Sequence, residues 1–167
     1  EIAKLRALRV LWARIMEAFG AEEADRAVHV HGRTSAFTKT VYDPYVNLLR
    51  NTTQAFSGVV GGLNSLEVSP FDQPIRKADD FSRRVARTIQ VMFELRQPVD
   101  PVGGSWYVET LAAELCEKIW AEFQTIESKG GIIAALKEGY PQAQVKAVLD
   151  ERFKNLAFRK DVAVGNN

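Results

Sequence analysis

The sequence predicts an α/β fold built of strand–helix units around a parallel sheet, and three observations carry that expectation. Two short segments with alternating or β-branched apolar residues, Ala27–Gly32 and Leu63–Val68, lie between runs of helical periodicity. The run between them is long enough to cross back over a sheet, as parallel strands require. Two strands alone cannot close a barrel, and their open edges are what soluble domains avoid. The pattern therefore reads as the back part of a barrel rather than a whole domain.

The first helix is expected from Ile2 to about Phe19. Ile2, Leu5, Leu8, Leu11, Trp12, Ile15 and Phe19 form its inward face, with Gly20 as its stop. No residue precedes it that could cap it, so the chain is expected to open inside a domain. After the first strand, Asp43-Pro44 supplies a cap and a first-turn proline for a second helix. Its inward face would hold Val46, Leu49, Ala55, Phe56 and Val59 or Val60, and Gly61-Gly62 would end it. Ser69-Pro70 closes the second strand. Asp79 or Asp80 caps a third helix reaching Leu95, with Phe81, Val85, Ile89, Met92 and Phe93 periodic, and a further strand is conceivable near Pro98. A long helix from Trp106 to Lys129, a short one to Glu138 and a last one from Pro141 to about Phe158 follow. Residues 159–167 read as a tail.

Composition narrows function by exclusion. Lys and Arg number 22 against 21 Asp and Glu, a formal net charge of +1, so nothing recommends a nucleic acid or an anionic membrane as partner. No apolar run approaches the roughly 20 residues of a membrane span and no signal peptide opens the chain. Cys116 is the single cysteine, which excludes an internal disulfide and a thiolate metal cluster. Together these favour a cytoplasmic protein.

The tempting side chains have plain readings. His29 and His31 face one side of a strand without a third ligand, so they read as wall residues and no metal is expected. Arg83, Arg84 and Arg87 lie on an amphipathic helix and read as a solvated face. Trp12, Trp106 and Trp120 read as core or interface anchors, and Cys116 as a small buried hydrophobe. In Asp100-Pro-Val-Gly-Gly-Ser105 two glycines precede a helix, an arrangement open to an anion or to a tight junction capped by Ser105 with Glu109 near the first turn. A P-loop is excluded, because no Gly-Lys-Ser/Thr follows.

Several blocks occur in a distinctive order. They are Glu1-Ile-Ala-Lys-Leu-Arg-Ala7 with Leu11-Trp-Ala13, Arg33-Thr-Ser35, and Asp43-Pro-Tyr-Val-Asn47 with Arg50. Further on come Gly61-Gly62 with Ser65-Leu66, Arg84-Val-Ala-Arg87, and Asp100-Pro-Val-Gly-Gly-Ser-Trp-Tyr-Val-Glu109. Over nearly its full length the chain resembles the methylmalonyl-CoA mutase family of cobalamin-dependent acyl-CoA mutases. The resemblance implies the closing segment of a (β/α)8 TIM barrel followed by C-terminal helices, over residues 1–158. The first half of the barrel would lie upstream and a cobalamin domain downstream. It also implies radical isomerisation of methylmalonyl-CoA and succinyl-CoA, with acyl-CoA held in the complete barrel. Adenosylcobalamin would belong to the parent assembly, without binding this segment alone.

Departures from the family pattern fall where the resemblance places the site. Active members typically show Gln-Thr-Ser-Gly-Trp where this chain has Arg33-Thr-Ser-Ala-Phe37. They show Ser-Leu-His-Thr-Asn and then Asp-Glu, where this chain has Ser65-Leu-Glu-Val-Ser69 and then Asp72-Gln73. Arg33, Thr34, Ser35, Phe37, Asn64, Glu67, Ser69, Asp72 and Gln73 are the residues expected to face substrate or cofactor, none of them catalytic. Arg33 and Glu67 are expected to pair and fill space a substrate would need. Ser69-Pro-Phe71 with Gln73, and Asp43-Pro-Tyr-Val-Asn47, resemble the family's small, catalytically silent subunit. Its partner would be a catalytic large subunit or a second copy. The connection from Arg87 to Asp100 also looks shorter than in catalytic members. The alternative is a segment of a catalytic mutase with another acyl-CoA substrate, in which Arg33 and Glu67 set specificity.

Overall fold

The computed structural model describes residues 1–93 and 100–165 and is helix-rich α/β. Its order is α1 (Ile2–Ala18), a 3-10 turn (Glu23–Asp25), β1 (His31–Arg33), α2 (Val46–Val60), β2 (Ser65–Glu67), α3 (Asp80–Met92), α4 (Trp106–Ser128), α5 (Gly131–Glu138) and α6 (Tyr140–Ala157). Among the described residues β1 and β2 form one two-stranded parallel sheet, in the register His31 to Ser65, Gly32 to Leu66 and Arg33 to Glu67. The chain gathers into two compact units, Glu1–Cys116 and Glu117–Gly165.

In the first unit α2 lies against α1, α3 and β2. The apolar core joins Ala55, Val68, Ala86 and Ile89, with Leu48, Leu66, Val85 and Phe93 packed around it. The buried stripe of α1 is Ala3, Ala7 and Leu11, four residues apart; Leu11 is on the inward face as expected, whereas Phe19 is 85% exposed. The alanines reflect the closeness of α2. A Cβ on Gly61 would stand 2.6 Å from Leu5 Cδ1, so small residues are what the contact admits. Arg9 of α1 donates to the Gly61 carbonyl at 2.8 Å and also to Gly62, placing a cation at the carboxyl end of α2.

Three sequence expectations shift. Helix α2 starts at Val46, because the Asp43 carboxylate accepts the Tyr45 N–H at 3.2 Å and so builds a turn ahead of the helix. Its buried face is Asn47, Asn51, Ala55, Gly58 and Val60, while Leu49 is 69% exposed and Phe56 also faces outward. Strand β1 begins at His31 and not at Ala27. Asn64 accepts the Val30 N–H at 2.8 Å and donates its own N–H to the Val30 carbonyl at 3.0 Å, so the ladder opens only after them.

Asp79 caps α3 as expected, accepting the Ser82 N–H at 2.8 Å. The buried face there is Ser82, Ala86 and Ile89, with Phe81 and Met92 outward. The expected end at Leu95 and the strand near Pro98 lie outside the described residues. Trp106 is 89% exposed and so is not a core residue of this unit. In the loop before α4, Glu109 accepts the Gly104 N–H at 2.9 Å, and Arg6 bridges Asp100 and Glu109. The glycine pair is thus a tight junction closed by its own chain.

The second unit carries α5 and α6 packed on each other. Gly130, Gly131 and Gly139 take positive φ at the two helix junctions, where a side chain would be strained. Tyr140 donates to Glu122 at 2.9 Å, and the Lys129 ammonium stands 4.7 Å from the Tyr140 ring centre.

Candidate functional site at the strand ends

Parallel strands present their carboxyl ends together, and the loops leaving them are where α/β folds place ligands. Here those loops are residues 34–45 and 68–79. Thr34 continues the ladder by donating its N–H to the Glu67 carbonyl at 3.0 Å. Its hydroxyl accepts the Ser69 N–H at 2.8 Å, which ties the two loops at their roots. Both Thr34 and Ser69 are buried. In the next layer Ser35 gives its N–H to Gln54 of α2 at 2.8 Å and accepts the Phe37 N–H at 3.1 Å.

The loops are held from behind by the two asparagines of α2. Asn47 accepts the Thr40 N–H at 2.9 Å and donates to the Thr40 and Phe71 carbonyls at 2.8 and 3.0 Å. One turn on, Asn51 donates to the Ser69 carbonyl at 2.8 Å. Both are fully buried, where a polar group has to be partnered. Their spacing of four puts both amides on one helix face. An Asn-x-x-x-Asn spacing inside an apolar period is the signal for this pair in the sequence.

Charge gathers in front of this frame. The Arg33 Nε stands 3.3 Å from the Glu67 Oε1, with side chains 56% and 51% exposed. Lys39 is half-buried and donates to the Pro70 carbonyl at 3.3 Å. Burial, and then the nearby Arg33 charge, hold its ammonium below the ordinary lysine value, against an opposite pull from Asp72. Asp72 is buried, with one carboxylate oxygen accepting Arg76 Nε at 2.9 Å. The other oxygen has no partner among the described residues, and neither has the Asn51 amide oxygen. Arg76 also reaches Asp79 at 3.0 Å, and its bond to Asp72 raises its pKa.

Arg33, Thr34, Ser35, Glu67 and Ser69 are therefore brought together at the strand ends. Phe37 lies exposed on the first loop, and Asp72 and Gln73 on the second, with Gln73 in an exposed turn. Asn64 is not brought to this end. It precedes β2 and binds the main chain of Val30, at the amino ends of the strands. His31 pairs through Nδ1 with the Ser65 hydroxyl at 2.8 Å, and no cluster of metal-ligating side chains exists among the described residues. A cavity of about 520 Å³ opens beside β1, bounded by Lys4, Leu5, Arg33, Gln54 and Leu63. Lys39 was missed from the sequence, because nothing in Phe37-Thr-Lys-Thr40 separates it from a solvated loop lysine.

A family model described as methylmalonyl-CoA mutase matches residues 1–167. Among similar proteins, the methylmalonyl-CoA mutase small subunit of Streptomyces virginiae is 42% identical, over 98% of this chain and 27% of its own length. The small subunit from Porphyromonas gingivalis is 37% identical over 100% of this chain and 28% of its own length. The methylmalonyl-CoA mutase of Rhizobium meliloti is 37% identical over 100% and 24%. The chain thus spans about a quarter of the length of the curated relatives it matches.

Proposed function

This chain belongs to the methylmalonyl-CoA mutase family, and from that premise we propose that it serves as a barrel segment of the small-subunit type, supporting a catalytic partner chain. The observation that carries this reading is the Arg33–Glu67 pair across the carboxyl ends of β1 and β2. Identity hardly separates small-subunit from other relatives, so the reading leans on the strand-end chemistry. Register places Arg33 and Glu67 directly opposite each other. An ion pair there satisfies each charge internally and occupies the position from which a barrel strand would address substrate.

The parent barrel is read as (β/α)8, with β1, β2 and their helices as part of its closing run. Two observations support that reading. The strands are parallel with a crossover helix between them. The sheet of β1 and β2 also has edges that no described strand covers.

The family's adenosylcobalamin supplies radical chemistry when bound. The residues at these strand ends do not fit it by themselves. An ion pair, two committed hydroxyls and one exposed phenyl ring make no broad apolar seat for a corrin. His31 is engaged with Ser65 before the strand ends. No step through the cofactor is assigned to this chain.

The half-open state of the Arg33–Glu67 pair favours one second reading, a catalytic segment in which Arg33 leaves Glu67 to grip a substrate carboxylate. One experiment separates the two. The full-length protein is purified from its host, its co-purifying chains are identified, and acyl-CoA mutase activity is assayed with and without them. Activity only in a pair with a larger mutase chain is the expected result. Turnover by the full-length protein alone would overturn the small-subunit reading in favour of the second.

A further inference from the structure

Helix α2 turns its large apolar residues away from the core. Its buried face is Asn47, Asn51, Ala55 and Gly58, and a Cβ on Gly58 would meet Leu63 and Leu66 on the sheet side. On the opposite side of the helix, Tyr45 at the N-cap, Leu49 and Phe56 share a second stripe, because residues four and seven apart recur on one face. Tyr45 is 65% exposed, and Leu49 and Phe56 are exposed with it. Helix α3, packed beside α2, adds Phe81 and Met92, which are also exposed and lie three turns apart on one face. Ring contacts close this seam at both ends. Tyr45 stacks on Phe71 with ring centres 5.5 Å apart, and Phe71 meets Phe81 edge-on at 6.4 Å. At the far end Phe56 and Phe93 stand 5.8 Å apart. Asn47 holds the Phe71 carbonyl from the buried side, so the rings rest on a fixed frame. A helix that buries amides and exposes a row of large apolar side chains reverses the usual order, and such a patch marks an interaction surface.

Completion of the parent barrel does not cover the seam. Further strands would extend the sheet and further helices would flank the layer, whereas these residues look outward from it. The surrounding charge says what kind of surface does cover it. The Arg84 guanidinium lies 5.8 Å from the Phe81 ring centre. Neither Arg84 nor Arg87, three residues on, has a carboxylate partner among the described residues, while Arg76 and Arg83 are paired within the chain. Exposed rings beside free arginines have the composition of an interface hot spot, and they call for an apolar patch rimmed by carboxylates. We infer that the outward seam of α2 and α3 is the docking face for the larger mutase chain, which meets it with apolar side chains and places Asp or Glu opposite Arg84 and Arg87. The inference rests on the small-subunit reading. Leu49 and the rings supply the apolar contact, and the arginines fix its register.

The test uses the tagged full-length protein purified from its host. The larger mutase chain that accompanies it is identified and quantified by mass spectrometry, and each variant is also unfolded in urea. Leu49→Asp is expected to lower recovery of the larger chain about tenfold, the loss typical of a hot spot. Its unfolding midpoint should stay unchanged, as for an exposed position. Arg84→Glu should give a smaller loss that shrinks as salt is raised. Val145→Asp, at an equally exposed apolar position on α6, should keep the partner. Full recovery with Leu49→Asp would overturn the proposal, and so would an equal loss with Val145→Asp. A lowered midpoint for Leu49→Asp would also overturn it, by showing that another stretch of the same polypeptide covers the seam. These three results leave the small-subunit reading standing. Absence of any larger mutase chain from the unaltered protein would overturn both.

Discussion

Replacing Asn47 with alanine tests whether the strand-end loops are held by the buried amides of α2. Asn47 is fully buried and makes three short bonds, one accepted from the Thr40 N–H and two donated to the Thr40 and Phe71 carbonyls. Each such bond contributes about 1 kcal/mol net, and a buried group that loses its partner costs more. The expected loss is therefore about 3 kcal/mol, toward the upper range for a single substitution. For a protein of this size that corresponds to roughly 6–12 °C in melting temperature. Asn51→Ala is the matched control, because Asn51 lies one turn away on the same face but makes a single bond, to the Ser69 carbonyl. It should cost about 1 kcal/mol. The assay is urea unfolding of both variants beside the unaltered protein, read by circular dichroism. A difference between the two variants below about 0.5 kcal/mol would refute the argument, since truncation volume is the same and only the bonding differs.

Three further outcomes follow from the geometry. Asp79→Ala should remove the α3 cap and the bond to Arg76 and so lower stability at neutral pH, measured by denaturant titration. Its bonds with Ser82, ahead of the Arg76 charge, lower the Asp79 pKa, so this stability is present above the unfolded value of about 3.9 and lost as pH falls through the folded one. The variant's stability should consequently fall less steeply with acid, and an equal slope would count against the cap. Gly61→Ala should destabilise by about 1–3 kcal/mol, because its new Cβ meets the Ser57 carbonyl at 2.9 Å as well as Leu5. Gly32→Ala meets only the movable tip of Leu63, at 2.2 Å beside a cavity, and should cost less in the same titration. Phenol absorbance should show Tyr140 titrating above the ordinary tyrosine value, because its hydroxyl donates to Glu122. Glu122→Gln should bring that titration down.

The sequence was legible where a local rule decides the outcome. Asp79 before an amphipathic run marks a cap whatever the helix packs against, and α3 begins where it should. Gly20 and Gly130 mark helix ends because their φ is positive. Helix faces were less legible. Hydropathy chose Leu8 and Phe19 over Ala3 and Ala7, and Leu49 and Phe56 over Asn47 and Asn51, since the true buried faces are set by close helix contact and by loop carbonyls needing donors. Those demands arise from segments distant in sequence, and their one trace in α2 is the spacing of Asn47 and Asn51. Strand lengths failed for a related reason: Asn64 intercepts the main chain of Val30, which no alternation pattern reveals. The candidate site was readable as far as Arg33 and Glu67, whose placement follows once two parallel strands are in register. Lys39 was not readable, because its hydrogen-bond partner is the Pro70 carbonyl, distant in the chain.

The same register argument bears on how these strand ends could change. Arg33 and Glu67 are opposite in the ladder, so altering one alone leaves the other as a half-exposed charge without its partner. Removing Glu67 would be the worse of the two, because Arg33 and Lys39 would then face each other with only Asp72 nearby, and Asp72 already serves Arg76. Removing Arg33 relieves that repulsion. The cost of a single change is therefore asymmetric, and the pair is best understood together with Lys39 as a three-charge set. An exposed pair contributes little to stability by itself, about 0–1 kcal/mol. Its weight lies in what it does to the charge beside it, which is why the effect of Arg33→Gln should be larger on the titration of Lys39 than on unfolding.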